Sequence, residues 1–398
     1  MRLVVAALLS ATTVTATEVT FSKHVLPILQ QRCQQCHRPG EIGPMPLETY
    51  KDTRPWAKAI REAVLLKRMP PWHADPRYGK FTNDLSLTPG AVETLVAWAN
   101  QGAREGNPAD APPPRRFVSG WRIAQPDAVF EMPADFRVPA AGTLEYQYFE
   151  VPTNFREDRW IEMAEVRPGN RSVVHHAIVT VQAPNDDGRR WFGQYLIGYA
   201  PGMSPQMWKP GQARLIPAGA TLIFQIHYTA NGKPAVDRTR VGLVFAKQPP
   251  EWRIVTMRAS NHWFSIPAGA ANHGVDASTT LSEPVSLVGM RPHMHLRGKS
   301  FEFRAVYPTG ESEILLRVPR YDFNWQPYYY LAKPLPLPQG TRIECTAHYD
   351  NSPNNPRNPN PAIDVRWGEQ SWEEMMIGWF DVAVPARPRL ESSITNRR

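Results

Sequence analysis

The sequence predicts a multidomain chain: a small all-α domain followed by two all-β sandwich domains. Three observations carry this expectation. Up to about residue 107, apolar residues recur at helical spacing. From Trp121 to about residue 385, short runs of Val, Ile, Thr, Tyr and Phe alternate with Pro, Gly and Asn turns. Finally, 398 residues exceed one ordinary domain, and 41 prolines and 25 glycines interrupt the chain too often for long helices.

The formal charge of +8 is dispersed rather than gathered into runs, which describes a solvated basic surface and argues against nucleic-acid binding. Met1-Arg2, the apolar stretch Leu3 to Leu9 and the small residues ending at Ala16 read as a secretory signal peptide over residues 1–16. That segment is too short to span a bilayer, and no later stretch approaches the length needed. The expected location is periplasmic or secreted. Three cysteines cannot build a disulfide framework. Two fall in one motif, and Cys345 is left as a small buried hydrophobe.

Residues 17–107 form the helical domain. Phe21, Val25, Leu26, Ile28 and Leu29 make one helical face leading into Cys33-Gln-Gln-Cys36-His37. Two thiols at that spacing can add to the vinyl groups of a haem and place the next imidazole under the iron. A zinc or redox Cys-X-X-Cys is the competing reading, and an export signal upstream favours covalently attached c-type haem. Trp56 to Lys67 predicts an amphipathic helix ending before Met69-Pro-Pro-Trp72, where the prolines fix an extended loop that can turn the Met69 sulfur toward the iron. Met45 and His73 are the rivals for that sixth position. Thr88 should cap a last helix over Val92 to Ala103. The segment resembles a class I-type cytochrome c domain. Residues 108–120, rich in proline and without an apolar period, read as a semi-rigid linker.

The β-rich remainder breaks near Gln248-Pro-Pro-Glu251, giving domains at 121–250 and 251–385, with a frayed tail over 386–398. The first domain carries His175-His176 and, further on, His227. Neighbouring residues of a flat strand face opposite ways, so both members of the pair can reach one metal only at a strand end or a bulge. Three histidines without a carboxylate or thiolate suit a copper ion that only passes electrons. The second domain carries His293-Met-His295, whose alternate imidazoles share a strand face. Imidazole suits copper, zinc, iron and nickel alike, and a methionine beside the pair, Met375 or Met376, favours cuprous ion. His24, His73, His262, His273 and His348 are expected on the surface or in packing.

Val-His-His at 174–176, Gln-Ile-His-Tyr at 225–228, His-Met-His-Leu-Arg-Gly-Lys at 293–299 and Glu-Glu-Met at 373–375 occur in one order. This pattern resembles the copper type II, ascorbate-dependent monooxygenases, the family of peptidylglycine alpha-hydroxylating and dopamine beta-monooxygenases, over roughly residues 150–385. The resemblance implies a pair of jelly-roll-like domains. It implies that His175, His176 and His227 hold an electron-transfer copper, and that His293, His295 and Met375 hold the copper that activates dioxygen. Met375 is preferred to Met376 because the family methionine directly follows an acidic residue. Family members often carry a cysteine after that methionine, paired with one matching Cys345; Met376 stands there in this chain. In the peptide-amidating branch an arginine matching Arg291 helps hold the substrate carboxylate, with partners where this chain has Ile377 and Trp379.

The resulting expectation is an exported, copper-dependent monooxygenase that hydroxylates a substrate C–H bond with dioxygen. It would use two copper ions, and the fused haem would deliver electrons in place of, or beside, an ascorbate-like donor or another cytochrome. The substrate would be a small molecule or peptide-like. The alternative is a non-catalytic haem/copper electron-transfer or copper-binding protein.

Overall fold

The computed structural model describes residues 18–184, 194–200 and 203–386. The signal-peptide expectation and most of the tail lie outside them. The described chain is mostly β-sheet with a few short helices, which divides into two compact units.

The helical unit comprises the described residues through Pro71 together with Leu85–Arg115. Phe21, Val25, Leu26 and Leu29 point into its core, as their spacing requires, against Leu95 and Trp98 of the helix Pro89–Asn100. Thr88 caps that helix, its hydroxyl accepting from the Ala91 N–H at 3.2 Å. The amphipathic stretch forms the helix Ala57–Leu65. The unit closes on itself where the Phe21 and Ser22 amides donate to the carbonyls of Arg104 and Glu105, both at 2.9 Å.

Two boundaries differ from the expectation. Residues 108–115, read as spacer, belong to the helical unit: the Gln30 side chain donates to the Pro113 carbonyl, and Arg115 donates back to the Gln30 carbonyl. Trp72–Asp84, expected within the helical domain, belongs to the β unit. There Trp72 packs on Phe81 and Tyr329, with ring centroids 5.9 and 4.9 Å away, and the segment exchanges backbone hydrogen bonds with Tyr330 and Ala332. Composition gave no warning, because a short aromatic segment buries itself against whichever strand edge offers partners.

In the β unit the two halves are joined by one nine-stranded sheet. Its order is Ala128–Glu131, Arg240–Phe245, Arg159–Arg167, Gln212–Ile216, Trp252–Asn261, Met376–Pro385, Val285–His293, Tyr329–Leu337, with Gln206–Met207 on the flank of Arg159–Arg167. The halves meet where Trp252 pairs in parallel with Gln212. In the first half a four-stranded sheet, Gln147–Pro152, Thr221–Tyr228, Val174–Gln182 and Gln194–Tyr199, packs on the large sheet. Along Thr221–Tyr228, Leu222, Phe224, Ile226 and Tyr228 enter the core, so Gln225 and His227 face the other way. In the second half the covering sheet is His273–Thr280, Arg342–Tyr349, Gly298–Val306 and Ser312–Val318. No helix occurs among the described residues of the β unit.

The second half's two layers touch at Gly378, where an added Cβ would lie 2.4 Å from Cys345 Sγ and 2.9 Å from the Phe303 ring. Gly378→Ala should therefore lower unfolding free energy by about 1–3 kcal/mol through overpacking. The pair Gly378→Ala/Cys345→Ala, which exchanges a sulfur for a methyl in the same space, should recover part of that loss in urea titrations. Simply additive costs would contradict this contact.

Candidate metal centres

The strand Val174–Gln182 carries a bulge where the first histidine pair lies. Val174 pairs with Tyr228 and His176 with His227, which leaves His175 as the extra residue. This irregularity lets both neighbours turn to one side. His175, His176 and His227 can each offer a ring nitrogen within 4.8 Å of the others. The Nδ1 atoms of His175 and His176 are 3.3 Å apart. His227 Nδ1 is buried and without a hydrogen-bond partner. His175 Nε2 lies 3.4 Å from the Asn324 carbonyl oxygen; an amide oxygen only accepts, so that nitrogen carries the proton and Nδ1 keeps its lone pair. The Tyr146 ring covers His176 and His227, at centroid distances of 5.3 and 4.9 Å.

The second set forms at the end of Val285–His293. His293 and His295 have ring centroids 5.3 Å apart. His293 Nδ1–H donates to Gln326 Oε1 at 2.7 Å and His295 Nδ1–H to the Glu373 carbonyl at 3.2 Å, which leaves Nε2 of each ring as the ligating atom. His295 Nε2 is buried and unpartnered. Glu374, fully buried, accepts from the backbone N–H of His295 at 2.8 Å and of Arg297 at 2.6 Å. Burial pushes its carboxyl up to about 8, against the pull of those N–H groups and of the Arg297 guanidinium.

Strand alternation separates the two methionines. Met375, Ile377 and Trp379 line one cavity together with His293 and Arg291, whereas Met376 is buried in the core away from it. His175 and His176 line the same cavity. Phe323 stands between the sets, stacked on His175 at 5.2 Å and edge-on to His295 at 6.0 Å.

The donor sets fit copper. Orphaned, dry imidazole nitrogens such as His227 Nδ1 and His295 Nε2 carry the cost of a lost hydrogen bond unless a metal takes the lone pair. Three imidazoles in one set, and two imidazoles with a nearby thioether in the other, are borderline to soft ligands.

In the helical unit, His37 Nδ1–H donates to the Met45 carbonyl at 3.1 Å, leaving Nε2 to ligate. No disulfide joins Cys33 and Cys36, and burial pushes the Cys33 thiol up to about 12. Gly43 sits so close that a Cβ there would lie 2.8 Å from the His37 ring. The residues present suit an attached haem. Met69 is half-buried in the turn after Ala57–Leu65, and the rival His73 lies in the segment assigned to the β unit.

Sequence reasoning missed Tyr146, Phe323, Asn324 and Gln326. Each is remote in the chain from the histidine it serves, and none carries a local motif.

No protein-family model matches the sequence, and no curated protein matches it. Among solved structures it is loosely similar to viral capsid proteins. The major capsid protein P2 of bacteriophage PM2 is 9% identical at a TM-score of 0.27, covering 65% of this chain and 98% of the other. Broad bean stain virus gives 8%, 0.28, 67% and 92% in the same terms. Superpositions this loose say nothing of what the chain does.

Burial lowers the pKa of His175, His176, His227, His293 and His295, that of His227 to about 3 and that of His293 to about 4. Below pH 6.5 the unfolded chain takes up protons that the folded one refuses, so this stability is present above pH 6.5 and is lost on acidification. Glu374 acts oppositely between its ordinary range and about 8, but it is one group against five. The melting temperature of metal-free protein should fall from pH 6.5 toward 4.5, less steeply in His227→Gln. A flat profile would contradict these burials.

Proposed function

We propose that this chain is an exported, copper-dependent monooxygenase of two jelly-roll-like domains that hydroxylates a substrate C–H bond, with electrons delivered by its own c-type haem. One observation carries the proposal: members of two ligand sets of different softness, His175 and His176 from the first and His293 and Met375 from the second, line a single cavity. Copper held there supplies dioxygen binding and one-electron redox chemistry. In balance, one oxygen atom enters the C–H bond and the other leaves as water, for two electrons and two protons. Cys33, Cys36 and His37 would hold a haem, whose one-electron chemistry would supply those electrons singly, in place of or beside an ascorbate-like donor or another cytochrome.

The chain's own residues shape the substrate. Arg291 is buried, its guanidinium over the Tyr195 ring at 4.9 Å and its Nε without a partner. The buried carboxylate in its vicinity, Asp381, is already held by Arg214 at 2.7 Å and by Thr256. A dry cation in a cavity whose lining includes the apolar faces of Ile178, Tyr199, Ile377 and Trp379 is suited to an anionic group on an apolar body. A small or peptide-like acid meets that description, and an amine does not. Ile377 has no polar side-chain atom and Trp379 at most a single N–H to offer a peptide carboxylate, which disfavours peptidylglycine.

Copper-loaded protein with reduced haem should reoxidise the haem under dioxygen, and with labelled dioxygen should place one labelled atom in an acidic substrate drawn from a panel. Met375→Leu should abolish labelling, and Arg291→Met should raise KM for the acid by about 10-fold or more. Haem that stays reduced beside loaded copper would remove its role as donor. Reoxidation without any labelled product would leave an electron-transfer protein.

A further inference from the structure

The turn Tyr321–Gln326 touches both ligand sets. Asn324 Oδ1 accepts from His175 Nε2–H, and Gln326 Oε1, two residues on, accepts from His293 Nδ1–H. Phe323 lies between them against His175 and His295. The Tyr321 hydroxyl accepts from the Met294 N–H at 3.0 Å and donates to the Met294 carbonyl at 2.7 Å, which anchors the turn to the residue between His293 and His295. The turn is itself held rigid. The Asp322 carboxylate accepts from the Asn324 N–H at 2.9 Å and takes both arms of the Arg357 guanidinium, and the Gln326 amide donates to the Phe323 carbonyl at 2.9 Å.

We infer that this turn is a positioning element shared by the two metal sets, with Asn324 fixing the tautomer and ring angle of His175 and Gln326 those of His293. The inference rests on the two-copper reading. A carbonyl oxygen can only accept. Each amide therefore keeps the proton on the outer nitrogen and the lone pair of the inner nitrogen toward the metal, and it raises the basicity of the ring. Because one rigid turn carries both amides, the two imidazoles cannot reorient independently of it. The spacing of the sets is then a property of the fold rather than of an open cleft. Neither amide touches dioxygen or substrate in this role, so both are positioning residues.

The test is cupric ion titration of the full, haem-bearing chain, followed by electron paramagnetic resonance that resolves the two sets, with thermal melts beside it. In Gln326→Ala, cupric affinity at the His293 set should drop about 10- to 100-fold while the His175 set is unchanged; Asn324→Ala should do the reverse. Gln326→Glu, which keeps an acceptor at the same reach, should restore the His293 signal, and Gln326→Leu, near in volume but without an acceptor, should not. If Gln326→Ala melts early and loses both ions, the Glu and Leu pair decides, since both keep the side-chain volume. Wild type with two coppers and variants indistinguishable from it would overturn this inference alone. Wild type that takes up no copper would overturn it together with the reading it rests on.

Discussion

The second ligand set depends on one buried carboxylate. Glu374 ends the loop that leads into the strand Met376–Pro385, and its two oxygens accept from the amides of His295 and Arg297. Met375 follows directly in the chain, so the same group that fixes His295 also fixes the thioether. A carboxyl in so dry a place costs several kcal/mol unless its hydrogen bonds are complete, and here they come from the backbone of His295 and of Arg297 two residues on. The Tyr349 hydroxyl adds a second tie, donating to the Met375 carbonyl at 2.7 Å. A His-X-His pair and a methionine 80 residues further along the chain are thus tied to one carboxyl group.

The first set is fixed by different means. A bulge at His175 breaks the alternation of its strand, and antiparallel pairing with Thr221–Tyr228 brings His227 opposite His176. Tyr146 then covers the rings from one side and Phe323 from the other. The parallel contact between Gln212 and Trp252 carries the sheet from one half into the next. A continuous sheet, unlike a flexible hinge, holds two such sets in one frame, and the shared Tyr321–Gln326 turn works in the same direction.

Much of this was legible in the sequence because period-two patterning and local chemistry are local signals. Two adjacent histidines could share one metal only at a strand end or a bulge, and the structure has the bulge. The helical spacing before Cys33 and the cap at Thr88 were equally readable. What the residues hid was non-local. Nothing near Phe323, Asn324 or Gln326 marks them as neighbours of histidines more than a strand away, and Trp72–Asp84 looked like any loop of a small helical domain. The apparent break at Gln248-Pro-Pro-Glu251 falls between the strands Arg240–Phe245 and Trp252–Asn261, yet one compact unit runs through it, and the pairing of Trp252 with Gln212 depends on a register that composition cannot express.

The central claim is that both histidine sets hold copper and face one cavity. Anomalous scattering at the copper edge, from crystals of the haem-bearing protein grown with copper, tests it most directly. Two separate peaks are expected, one among the ring nitrogens of His175, His176 and His227 and one among His293, His295 and the sulfur of Met375, with His175 and His293 rings turned as their amide partners dictate. A single peak shared between the sets, or no peak at either, would contradict the account.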